Sequence, residues 1–130
     1  MFVDSSVLVA ILSDEEDAGQ WTERIEAAEN CLTTPLVVLE TAMRLSSKLA
    51  VEPVEAGSFI ARFLSEAGIA VVPIEADDAD ATIRAFAEYG KGRGHPARLN
   101  LADCLAYACA RRLGMPLLYK GHDFAHTDMG

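Results

Sequence analysis

The sequence predicts an α/β fold, a three-layer α/β/α arrangement around a short, mainly parallel β-sheet, and three observations predict it. Short apolar segments with strand character alternate with longer capped segments of helical character, the order that parallel βαβ units require. The chain has 130 residues and is 51% hydrophobic, with no Ser-, Pro- or Gly-rich linker dividing it. One domain over residues 1–130 is therefore expected, large enough for a real core. No internal repeat interrupts the alternation.

Phe2-Val3 reads as a short buried strand, and Asp4-Ser5-Ser6 supplies N-cap residue types for a helix behind it. A helix is expected over residues 15–28, with Trp21, Ile25 and Ala28 at helical spacing, and Cys31-Leu32-Thr33 gives a second strand. Thr34-Pro35 is a helix start in which Thr caps and Pro is preorganised, and that helix should run to about Leu49. Pro53 to Glu66 forms another. Gly68 ends it, and Ile69 to Ile74 reads as a buried strand. Asp77 or Asp78 opens a helix to about Tyr89. Residues 91–98, with two glycines, a proline and several cations, are an irregular loop ahead of a helix from Leu101 to Leu113. Leu117-Leu118-Tyr119 is the last strand, followed by Lys120-Gly121-His122-Asp123-Phe124.

Charge narrows the function. Eleven Lys and Arg against twenty Asp and Glu give a net charge of −9, which argues against nonspecific coating of nucleic acid. The distribution is uneven: residues 84–120 hold Arg84, Lys91, Arg93, Arg98, Arg111, Arg112 and Lys120 against only Glu88 and Asp103. That third of the chain could face a polyanion, or it could be ordinary solvated helix and loop charge. The N-terminus has no basic leader and Asp4 breaks its apolar run, so neither a signal peptide nor a membrane span is expected, and the protein should be cytoplasmic. Cys31, Cys104 and Cys109 lack metal-site spacing and read as small core residues.

Four acids stand out. Asp4 sits at a strand end, where it serves either as a ligand or as the cap of the next helix. Glu40 follows Leu36-Val37-Val38-Leu39 and shares a helix face with Leu36 and Met43, which points it toward the core or a cleft unless Arg44 pairs with it. Asp103 is a lone charge among apolar residues and could close a capping box with Asn100. Asp123 lies in a turn, where Asp is common for local reasons. Ligands of open parallel sheets bind beyond the C-terminal strand ends, and Asp4 and Asp123 both fall there. Helix N-termini can bring in the other two. Four carboxylates in one pocket stay ionised together only with cations between them, and oxygen-only ligands favour Mg²⁺ or Mn²⁺. Such a site suits in-line displacement at phosphorus, so phosphodiester hydrolysis is the expected reaction.

The same residues resemble a known family. Phe-Val-Asp-Ser-Ser at 2–6, Glu40 in the helix after Thr-Pro, Leu-Asn-Leu-Ala-Asp-Cys at 99–104 and Gly-His-Asp-Phe at 121–124 resemble the PIN domain, in particular the VapC toxin ribonucleases of bacterial toxin–antitoxin pairs. The resemblance spans nearly the whole chain. It implies a PIN-like fold and an endoribonuclease with Asp4, Glu40, Asp103 and Asp123 binding Mg²⁺ or Mn²⁺, Ser6 supporting them, and RNA as substrate. It also implies a homodimer and a small antitoxin whose tail enters the cleft. In the last motif His122 precedes Asp123 where related sequences often carry two acids. Asp123 is taken as the ligand, and His122 is either a base or ligand or a solvent-facing turn residue; His95 and His126 are weaker candidates. Arg93 and Arg98 are candidates for holding the RNA backbone.

Three other readings compete. A phosphotransfer or phosphatase domain needs a nucleophilic Asp free of crowding acids, which Glu40 and Asp103 do not suit. A receiver-like signalling domain needs an Asp ending the middle strand, and Val71-Val72-Pro73-Ile74-Glu75 offers a displaced glutamate. A catalytically inactive PIN-like binding module would not need all four acids.

Overall fold

Four short apolar segments pair side by side, all parallel, in the order β3-β2-β1-β4. The computed structural model describes residues 1–130. Its strands are β1 (Phe2–Val3), β2 (Cys31–Thr33), β3 (Ile69–Val71) and β4 (Leu117–Leu118); its helices are α1 (Ser5–Leu12), α2 (Ala18–Ala27), α3 (Pro35–Leu49), α4 (Pro53–Ala67), α5 (Asp77–Tyr89) and α6 (Leu101–Arg112). Successive crossovers step from β1 to β2 to β3 in one direction. The chain then returns through α5 and α6 to place β4 on the far side of β1. The order therefore reverses at β1, the switch point beside which open parallel sheets hold their ligand crevice, at the C-terminal edge.

Both residues of β1 and both of β4 are buried, as strands covered on two faces must be. Helix α1 packs on α2 and α3, α3 on α4, and α5 on α6, completing the three layers. One cluster of buried apolar side chains links them, including Phe2, Leu8, Leu45, Ile60, Leu99, Leu118 and Phe124. No helix is long and apolar enough to cross a membrane. The three cysteines are free and buried, and burial pushes the Cys109 thiol up to about 11, so it stays protonated and inert.

The elements follow the sequence reading closely, with four corrections. The helix expected over 15–28 begins only at Ala18, because Glu15 and Asp17 instead hold Lys120, and Glu15 also holds Lys48. The segment Ile69 to Ile74 is not a buried strand: pairing stops at Val71, and only Ile69 of β3 is buried because the strand is an edge with one neighbour. Tyr119 lies beyond β4. Thr34 occupies the N-cap of α3, with Pro35 at its first position, but its hydroxyl makes no cap bond and is buried without a partner.

Candidate active site

The crevice at the end of β1 is built from strand ends and helix starts. The Asp4 backbone N–H donates to the Leu118 carbonyl at 3.0 Å, which ties the end of β1 to the end of β4. Its side chain is the N-cap of α1: Oδ2 accepts from the Ser6 N–H at 3.1 Å and from the Ser6 hydroxyl at 2.6 Å. The Ser6 oxygen in turn accepts from the Lys120 N–H at 2.9 Å. Ser6 thus couples Asp4 to the turn that leads into Asp123. Burial raises the Asp4 carboxyl above the ordinary carboxylate range against the pull of the Ser6 donors, and the Glu40 charge adds to the rise.

Glu40 stands in the second turn of α3 and is half-buried. Arg44 does not pair with it. Its Oε1 accepts from the Ser5 hydroxyl at 2.5 Å, and Ser5 is itself buried. The two serines following Asp4 therefore hold different acids: Ser6 holds Asp4 and Ser5 holds Glu40. The role of Ser5 was absent from the sequence reading, although the doubled serine after a strand-ending Asp is a local signal for it.

Asp103 realises the capping box: its Oδ2 accepts from the Asn100 N–H at 3.1 Å, and its own N–H donates to Asn100 Oδ1 at 2.8 Å. The cap does not use up the carboxylate, since one oxygen remains. Burial pushes the Asp103 carboxyl up to about 7, partly opposed by the Asn100 N–H, and the charges of Asp123, Asp4 and Glu40 push in the same direction as burial. The electrostatics thus link all four acids. Asp123 is exposed on the turn after β4, next to buried Phe124.

No Lys or Arg forms an ion pair with any of the four. The donors are all carboxylate oxygens, and their shared negative charge is unbalanced by protein, a combination that fits a hard divalent cation. The side chains do not close on one point: no three carboxylate, imidazole or thiol groups stand in geometry to hold an ion together. A concavity of about 820 Å³ lies elsewhere, among Arg111, Met115, Pro116 and Asp128.

The cations of residues 84–120 divide into two groups. Arg112 grips the fully buried Asp78 with Nε at 2.6 Å and Nη2 at 3.0 Å, Arg111 pairs with Asp128, and Lys120 is held by Glu15 and Asp17. Arg84, Lys91, Arg93 and Arg98 have no acidic partner, and the last three ride on a loop whose base is closed by Lys91 N–H to Leu99 O at 2.9 Å and Leu99 N–H to Tyr89 O at 2.8 Å. Within that loop His95 Nδ1 accepts from the Ala97 N–H at 3.1 Å and its ring meets Tyr89 edge-on, so it serves the loop's own fold. His122 and His126 are exposed.

The sequence pattern of the PIN domain matches residues 1–129. The chain belongs to the VapC group of PIN domains. A VapC ribonuclease of Mycobacterium bovis is 43% identical over 129 residues, covering 99% of this chain and 95% of that protein. Another, from Rhizobium meliloti, is 36% identical over 140 residues, covering 99% of each. In three dimensions this PIN domain is similar to the crystal structure of VapC20 from Mycobacterium tuberculosis, described as a sarcin-ricin loop cleaving toxin. The TM-score is 0.74 at 19% identity, over 98% of this chain and 94% of that one. That likeness concerns the fold. This PIN domain's crevice, the point where its strand order reverses, is the place where Asp4 stands.

Proposed function

We propose that this PIN domain, working as one unit over residues 1–130, is a Mg²⁺- or Mn²⁺-dependent endoribonuclease and the toxin of a type II toxin–antitoxin pair. Asp4, Glu40, Asp103 and Asp123 hold the metal. The observation that carries this reading is the field of three carboxylates on Asp103, with no protein cation paired to any of the four. The names of the relatives, all ribonucleases, support RNA as the substrate.

A hard divalent ion held there supplies Lewis acidity toward a phosphoryl oxygen and a more acidic water. The chain's own part is to orient. Ser6 fixes Asp4 Oδ2, Ser5 fixes Glu40 Oε1 and Asn100 holds Asp103 Oδ2. Three of the four acids are thus oriented by protein donors, and Asp123 stands exposed on its turn. Arg93 and Arg98, free of acidic partners, bind the RNA backbone. A homodimer, a small antitoxin protein that blocks the crevice and a cytoplasmic location belong to the same reading.

Incubation of the purified protein with single-stranded RNA tests it. Cleavage with Mg²⁺ or Mn²⁺ that stops in EDTA is expected. Cleavage that survives chelation, or that appears only with Zn²⁺, would contradict the carboxylate site, and RNA binding without cleavage under any metal would leave an inactive binding module.

A further inference from the structure

Next to the Asn100–Asp103 capping box lies an apolar groove of about 310 Å³ between the middle of α5 and the start of α6. Its floor is the buried pair Leu99 and Cys104, and its walls are Ile83, Phe86 and Leu101. The walls are unusual for a surface: Ile83 is 64%, Phe86 45% and Leu101 74% exposed. Large side chains so placed mark a binding surface more often than an accident of the fold.

The Phe86 ring is braced. A Cβ on Gly90 would stand 2.3 Å from Phe86 Cδ1 and 2.4 Å from the Phe86 carbonyl oxygen. Gly90 has an ordinary φ of −67°, so its dihedral does not require glycine; room for the Phe86 ring and carbonyl does. The ring therefore rests against the bare backbone of Gly90 and remains half open to solvent.

Two features say what the groove receives. The only charged residue lining it is Lys91, which begins the loop carrying the unpaired Arg93 and Arg98. The far wall includes Asn100, whose Oδ1 accepts from the Asp103 N–H, so the groove abuts the capping box that holds one of the four acids. Apolar and aromatic surface flanked by cations is the combination that single-stranded nucleic acid requires, bases on the one and phosphates on the other. A second copy of the chain would offer apolar contacts to the groove but no phosphates to Lys91, Arg93 and Arg98, whereas RNA supplies both.

We propose that the groove bounded by Ile83, Phe86 and Leu101 receives an unpaired nucleobase of the RNA, stacked on Phe86, next to the phosphodiester that is cut. This rests on the ribonuclease reading and adds to it a site that positions the substrate and selects unpaired over paired RNA. A base locked in a duplex cannot enter.

Equilibrium binding of a short labelled single-stranded oligoribonucleotide, followed by fluorescence anisotropy in EDTA, tests the site. The proteins are wild type, Phe86→Ala, Phe86→Leu and Leu101→Ala, the last at a side chain exposed enough that folding does not depend on it. The RNA is supplied intact and as a series in which one base at a time is missing. Phe86→Ala should weaken binding of intact RNA about fivefold or more, the usual worth of one base on one aromatic ring. Phe86→Leu, which keeps bulk without a π face, should fall between. At one position of the series, removing the base should cost wild type a similar factor and erase its advantage over Phe86→Ala. The site is overturned if Phe86→Ala and Leu101→Ala bind intact RNA like wild type, or if the Phe86→Ala deficit is the same at every missing base. It is also overturned if sedimentation shows the variants changing oligomeric state at unchanged RNA affinity, which would make the groove a protein interface. Wild type that binds no RNA in EDTA and cleaves none with Mg²⁺ or Mn²⁺ would overturn the ribonuclease reading with it; RNA binding that survives the groove substitutions overturns the groove alone.

Discussion

Asp103 and Asn100 bind each other reciprocally across the first turn of α6, backbone N–H to side-chain oxygen in both directions. A helix cap and a cation ligand are usually weighed as alternatives for such an acid. Here the cap uses Asp103 Oδ2 and leaves the other oxygen for the crevice, so one residue can serve both.

The first prediction concerns Asp103→Asn in EDTA. The folded-state carboxyl lies near 7, well above its ordinary value of 3.8, so the folded protein binds that proton more tightly than the unfolded chain. Its contribution to stability is therefore full below about pH 4 and is lost as pH rises through 7. Relative to Asp103→Asn, wild type should lose up to about 4 kcal/mol over that window and nothing further above it. With Mg²⁺ the order should reverse, since binding stabilises only the protein that holds the ion. Thermal melts across pH, with and without Mg²⁺, read both. Parallel curves for the two proteins from pH 4 to 8 would remove the carboxylate from the crowded site.

Thr34→Val should be neutral or stabilise by up to about 1 kcal/mol. The Thr34 hydroxyl is buried, caps nothing and finds no partner, so its desolvation is uncompensated, and Val has the same shape without it. Denaturant melts measure this. A loss above about 1 kcal/mol would mean that the hydroxyl has a partner.

The cations of the α5–α6 region should separate by role. Arg112→Ala strips the partner from fully buried Asp78 and should cost about 2–4 kcal/mol, while the salt dependence of RNA binding stays as in wild type. The Arg112 guanidinium holds the Asp78 carboxyl below the ordinary range, so that part of the stability is present above about pH 4 and is lost at lower pH. Arg93→Ala with Arg98→Ala should do the opposite, leaving the melting curve nearly unchanged, raising KM and flattening the salt slope because fewer counterions are released. A salt slope that falls with Arg112→Ala and not with the loop pair would move the RNA onto α6.

Much of the fold was legible because its signals are local. Thr-Pro at 34–35, Gly68 at a C-cap with φ of 69° and the Asn-Leu-Ala-Asp box at 100–103 each act within one helical turn. Burial was less legible where it depended on position in the sheet: Ile69-Ala70-Val71 has the composition of an interior strand, yet lies at an edge because the chain crosses back to put β4 beside β1. The start of α2 was misplaced for a long-range reason, since Glu15 and Asp17 answer to Lys120, more than a hundred residues away. The four acids stood out as charges in apolar surroundings or at strand ends. Ser5 did not, because its partner Glu40 is thirty-five residues distant. Arg111 and Arg112 looked like substrate contacts in a list of charges and are committed to Asp128 and Asp78 in the fold.

The most direct measurement is calorimetric titration of Mn²⁺ into wild type and into Asp4→Asn, Glu40→Gln, Asp103→Asn and Asp123→Asn. If the four carboxylates share one site, wild type binds and each substitution weakens binding at least about tenfold, with RNA cleavage falling in step. Wild type that takes up no Mn²⁺, or Asp123→Asn and Glu40→Gln that bind it as wild type does, would contradict the shared site.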